Sequence, residues 1–143
     1  MDIVERTQFE VGESASLTRR ITTEDIQAFA RISGDENPVH LDEKYARDTY
    51  FQGCIAHGML VAGLISAVLG NKLPGPGSIY LGQEIRFKAP VRPGDTVTAR
   101  VEITSWDPEK GRVNLQTEVT NQEDVTVITG SAQLVMSSYL KRS

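Results

Sequence analysis

The chain has 143 residues, 39% of them hydrophobic and 24% charged. That composition predicts one globular domain over residues 1–143 and excludes a disordered or fibrous chain. A net charge of −4 argues against a nucleic-acid partner, because neutralising phosphates takes a basic face; one cysteine (Cys54) and two histidines make a Cys/His zinc site or a disulfide framework untenable, so no metal is expected. The opening stretch MDIVERTQFEVGES has no basic segment followed by an apolar one, so the expectation is no signal peptide and a cytoplasmic protein.

A weak strand opens the chain near residues 14–21. Thr22-Thr23-Glu24-Asp25 then reads as a helix start, a threonine cap with carboxylates in the first turn. Ile26, Phe29 and Ala30 give that helix one apolar face, and Ser33-Gly34 ends it. Gly34, Asn37 and Pro38 predict an irregular segment over 34–41, followed by a short helix over 42–48. Residues 54–70, CIAHGMLVAGLISAVLG, carry no charge. The stretch is at the short limit for crossing a bilayer, contains His57, Ser66 and three glycines, and lacks a basic flank. It predicts a helix buried on all sides, with Gly58, Ala62, Ser66 and Gly70 along one face where backbone or ligand could approach.

Beyond Gly70 the period changes to two. Alternation at 84–89, 96–104 (Val97, Ala99, Val101, Ile103) and 112–120 (Val113, Leu115, Val119) predicts strands, and 125–136 predicts a strand covered on both faces for part of its length. Pro93-Gly94 suits a type II turn, and 107–111 and 121–124 suit hairpin loops. The order of elements predicts an α+β domain, one antiparallel sheet curled round a long helix, with edge strands that a second copy could cover.

Asp35 and His40 stand five residues apart across a Gly/Pro-containing loop, a spacing that lets a carboxylate and an imidazole converge for acid–base work. The plain alternative is a loop in which Asp35 and Asn37 cap backbone amides and His40 sits at the surface, and spacing alone favours it. His57 reads as a helix cap or core residue in preference to a substrate ligand, and Cys54 as an inert buried thiol. Ser66 with His40 and Asp35 lacks the sharp strand-to-helix turn of a serine hydrolase. Arg86, Lys88 and Arg92 form either a solvated basic face or contacts for a cofactor with several phosphates.

The runs FARISGDENPVHLDEKYA, FQGCIAHGMLVAGLISAVLG and SIYLGQEIRFKAPVRPGDTV resemble the MaoC-like (R)-specific enoyl-CoA hydratases, over about residues 22–136. The Gly-Asp-x-Asn-Pro-x-His core, with Ala46 six positions after the histidine, is the specific part. The resemblance implies a hotdog fold and a homodimer, with a role in supplying polyhydroxyalkanoate synthesis. It assigns catalysis to Asp35 and His40, loop ordering and a water or substrate contact to Asn37, reception of the thioester oxygen to the Gly58 N–H, and a hydrogen bond near the catalytic aspartate to Ser66. Acyl-CoA is the implied partner and coenzyme A arrives as part of the substrate, so no separate cofactor is expected, nor a membrane partner. A hotdog thioesterase is the alternative activity, disfavoured because residues 54–70 carry no carboxylate; a non-catalytic acyl-CoA-binding domain is the other.

Overall fold

Alternating residues in the C-terminal half put one apolar face on each strand, and those faces line one side of a single antiparallel sheet. The structure is a computed structural model and describes residues 2–141. β3 (Thr96–Asp107), β4 (Arg112–Thr120) and β5 (Thr126–Met136) are joined by hairpins, and β1 (Ser14–Arg20) and β2 (Ser78–Phe87) flank them in the order β1-β3-β4-β5-β2. Val97, Ala99, Val101, Ile103, Val113, Leu115 and Val119 are each at most 1% exposed. Thr117 shares their side of β4, and its buried hydroxyl accepts a hydrogen bond from Gln83 Nε2 at 3.0 Å. The predicted type II turn forms: Gly94 has φ +95° and Asp95 N–H donates to the Arg92 carbonyl at 2.9 Å.

The helices lie between β1 and β2 in the chain. α1 (Thr23–Ser33) begins with a reciprocal cap, in which the Thr22 hydroxyl accepts from Asp25 N–H and the Asp25 carboxylate accepts from Thr22 N–H. It ends at Gly34, whose φ of 80° suits a residue without a β-carbon. The segment expected to be irregular contains one helical turn, α2 (Pro38–Leu41). Proline at its first position lacks only an N–H that would have no helical acceptor there, and the Asn37 side chain accepts from Val39 N–H. α3 (Glu43–Arg47) follows, capped by Asp42.

α4 (Gly58–Asn71) packs against β1, β2, β3 and β4. Val61, Ile65, Val68 and Leu69 are at most 1% exposed, and burial of each contributes roughly 1.5–3 kcal/mol. The expectation of burial on all sides needs correction. Met59 is 59% exposed, and Gly63, Ser66 and Gly70 are open too, because one sheet covers one side of a helix. The predicted stripe of small residues therefore divides, with Ala62 turned inward and Ser66 and Gly70 outward. Beside this open face, edge strand β2 leaves Ile79, Tyr80 and Leu81 between 40% and 47% exposed.

Candidate active site

The loop from α1 to α2 is held by its own short polar side chains. Ser33 Oγ donates to the Phe29 carbonyl at 2.6 Å and accepts from Asp35 N–H at 3.1 Å. Asp35 Oδ1 accepts from Asn37 N–H, and Asn37 Oδ1 from Val39 N–H, both at 3.2 Å. These bonds satisfy backbone donors where Gly34 and Pro38 interrupt regular structure. α2 then places His40 beside the segment that leads into α4. His40 Nδ1 lies 2.8 Å from the Ile55 carbonyl oxygen, and Ile55 N–H donates back to the Val39 carbonyl at 3.2 Å. A carbonyl only accepts, so Nδ1 carries the hydrogen and Nε2 keeps its lone pair free.

His57 occupies the N-cap position of α4 but makes no capping bond with its side chain. Its ring is 2% exposed and stacks on His40 with centroids 3.9 Å apart and planes at 28°. Phe29 packs on it as well, at 4.8 Å. His57 Nε2 is 2.9 Å from the Asp35 carbonyl oxygen, which fixes the hydrogen on Nε2. Nδ1 is left buried without a partner, at a cost of about 1–3 kcal/mol.

One ligand-type atom from each of Asp35, His40 and His57 lies within 4.8 Å of the others. The loop thus brings the predicted Asp35/His40 pair together, with the aspartate exposed and His40 half-buried. His40 and Gly58 line a cavity of about 340 Å³ whose other walls include Phe51, Val61, Phe87, Val91 and Ile128. Among the described residues, no group in the chain accepts from the Gly58 N–H. The cavity therefore combines an imidazole, a free amide at the positive end of a 14-residue helix, and apolar walls suited to a carbon chain.

The other predicted residues spread out. Asn37 orders the loop by capping α2. Ser66 is a correction: it lines a separate cavity with Met59, Gly63 and Tyr80, two helical turns beyond Gly58, and among the described residues it has no bond to Asp35. Arg86, Lys88 and Arg92 do not act as one cluster. Arg86 lies 3.9 Å from Glu84 and lines a groove with Thr104 and Gln116, while Lys88 lines the His40 cavity. Arg92 sits in the following turn, facing Gly53, because β2 ends at Phe87 and the chain bends away. Cys54 is buried, and loss of solvent together with nearby Glu43 pushes its thiol up to about 11. Sequence reasoning did not anticipate His57 touching both members of the pair, nor Tyr50 and Phe51 on the cavity wall.

Asp35, His40 and His57 are residue types that ligate metals, but their arrangement is poor for one ion. A metal bound by two imidazoles lies near both ring planes, at about 2.0–2.1 Å from each nitrogen. Stacked rings present their lone pairs side by side, so a shared ion would require one ring to rotate.

A family model described as "MaoC like domain" matches residues 7–127. The chain belongs to the MaoC-like family. A relative of this MaoC-like protein in Rhodospirillum rubrum, named (R)-specific enoyl-CoA hydratase, is 54% identical over 87% of the chain and 86% of its own length. The solved structure titled R-hydratase PhaJ1 from Pseudomonas aeruginosa in the unliganded form has a TM-score of 0.84 and 48% identity, covering 90% of this chain and 82% of that one. The (R)-hydratase from A. caviae involved in PHA biosynthesis has a TM-score of 0.86 and 45% identity, with coverage of 90% and 97%. The α+β hotdog architecture is thus shared along nearly the whole chain. Among the described residues, no helix is long and apolar enough to cross a membrane.

Proposed function

We propose that this MaoC-like protein is an (R)-specific enoyl-CoA hydratase, which adds water across the C2=C3 bond of a trans-2-enoyl-CoA to give the (R)-3-hydroxyacyl-CoA. The observation that carries this reading is the meeting of Asp35 and His40 beside a cavity whose wall includes the unpartnered Gly58 N–H. One water held by the Asp35 carboxylate and His40 Nε2 loses a proton as its oxygen bonds C3. The C2=C3 electron pair moves toward the thioester, and the negative charge gathers on the thioester oxygen. The Gly58 N–H and the positive end of α4 stabilise that charge, and a proton delivered to C2 completes the product. No resident cofactor takes part.

The apolar walls fit an acyl chain, and Lys88 at the same cavity suits a phosphate-bearing carrier such as coenzyme A. The open face of α4 and the neighbouring edge of β2 support a homodimer, since a second copy would cover Met59, Tyr80 and Leu81. A cytoplasmic site of action and supply of hydroxyacyl units for polyhydroxyalkanoate complete the reading; the names of the similar hydratases support it.

Crotonyl-CoA provides the test. Loss of the enoyl absorbance without release of thiol means hydration, whereas free thiol means hydrolysis. His40→Ala should slow hydration by about 10²–10⁴-fold while the protein stays folded. Near-full activity in that variant would end this mechanism.

A further inference from the structure

We infer that His57 is a positioning residue, a single buried ring that holds both members of the Asp35/His40 pair in register. Its two contacts go to the two residues assigned to the reaction. Nε2–H donates to the Asp35 carbonyl at 2.9 Å, which pins the loop backbone from which the carboxylate projects. The face of the ring lies on His40 at 3.9 Å, which limits rotation of the His40 ring and keeps its Nδ1 on the Ile55 carbonyl. His40 is thereby left with Nε2 as its working nitrogen. Phe29 packs on the His57 ring and α4 begins at the next residue, so the positioning residue is itself anchored in two helices.

Core packing alone does not account for this side chain. It is 2% exposed and buries an Nδ1 lone pair that nothing satisfies, a penalty a phenylalanine or leucine would avoid. Neither does helix capping, since the side chain makes no capping bond. Nor is His57 among the residues lining the His40 cavity, so it has no direct route to the substrate. What it does have is simultaneous contact with Asp35 and His40, which neither of those residues has with any other single described side chain among the hydrogen bonds and ring contacts. Orientation of this kind raises turnover without adding to substrate binding.

This inference rests on the hydratase reading above, and its test separates the two. His57→Gln places an amide N–H near the position of Nε2 and removes the ring, whereas His57→Phe keeps a ring against His40 and removes the donor. Circular dichroism and thermal melting establish that each variant is folded. With crotonyl-CoA, kcat should fall roughly 10- to 100-fold in each variant with KM within about two-fold of wild type. Nitrogen-15 spectra of the imidazoles should show His57 protonated on Nε2 and His40 on Nδ1 in wild type. The His40 signature should persist in His57→Phe and become a mixture in His57→Gln.

Folded variants with kcat within about two-fold of wild type, or with their loss confined to KM, would overturn the inference. So would an unaltered His40 tautomer in His57→Gln, or the opposite tautomer of either histidine in the wild-type protein, a measurement that needs no variant to fold. An inactive wild type would instead refute the hydratase reading, and the nitrogen spectra would still decide the role of His57.

Discussion

Phe87 lies across Gly58 so closely that a β-carbon on the glycine would stand 2.5 Å from the phenylalanine ring. The ring belongs to a residue that is 54% exposed, so it can swing aside. Gly58→Ala should therefore fold, with a stability loss of about 1 kcal/mol, while hydration of crotonyl-CoA drops at least about 10-fold. The double variant Gly58→Ala/Phe87→Ala separates crowding from approach: if the glycine serves close entry of the thioester oxygen, removing the ring will not restore the rate. Full recovery in the double variant would assign the glycine to packing against Phe87 alone.

Asp25 ties acid stability to the first turn of α1. The hydrogen bond from Thr22 N–H, helped by Arg19 at 2.8 Å, holds its carboxyl below the ordinary value of 3.8. A carboxyl depressed by folding stabilises the native state above 3.8, and that contribution disappears as the pH falls through its lowered value. Urea midpoints measured from neutral pH down to acid should fall less steeply for Asp25→Asn than for wild type. Thr22→Ala should cost about 1 kcal/mol at neutral pH.

Cys54 should be chemically silent. With its thiol raised to about 11, almost none is thiolate near neutral pH, and the side chain is also buried. Ellman's reagent is expected to react with the unfolded chain and to leave the native one untouched over the same period, and Cys54→Ala should retain hydratase activity. The stability this neutral thiol contributes is intact below its ordinary value of 9.0 and is lost as the pH rises through about 11. The alkaline fall in melting temperature should therefore be shallower in Cys54→Ala.

The face formed by Met59, Tyr80 and Leu81 predicts the assembly state. Light scattering on a sizing column should give the mass of two chains for wild type, and Leu81→Lys should shift it toward one. Because Leu81 is 47% exposed in the single chain, the folded protomer should survive that substitution. A Leu81→Lys protein that remains fully dimeric would move the interface away from this edge.

The strands were readable because a period of two leaves an unmistakable trace wherever one face is buried: Val97 through Ile103 and Val113 through Val119 alternate as the sheet requires. The α1 boundaries were readable from Thr22 and Gly34, whose chemistry is local. α4 was misread in its surroundings, since apolar composition does not distinguish a helix enclosed by one sheet from a helix with an outward face. The Asp35/His40 convergence was legible from a loop spacing joined to a family motif. His57 was legible as a buried histidine, but its two contacts depend on α2 folding back over the start of α4, a distance in space that no sequence period encodes. The same holds for Arg86, Lys88 and Arg92, neighbours in sequence that the end of β2 sends in different directions.

The strand order also bears on synthesis. β1 and β2 are the outermost members of the sheet, yet they precede β3, β4 and β5 in the chain. A nascent polypeptide emerging from the ribosome therefore exposes Val61, Ile65, Val68 and Leu69 before the central strands that shield them have been translated. The hazard of misassociation is concentrated in that interval, when an uncovered greasy segment awaits its partners. Pausing of translation between codons 72 and 95 should lengthen it, and a holdase chaperone would have its natural client there.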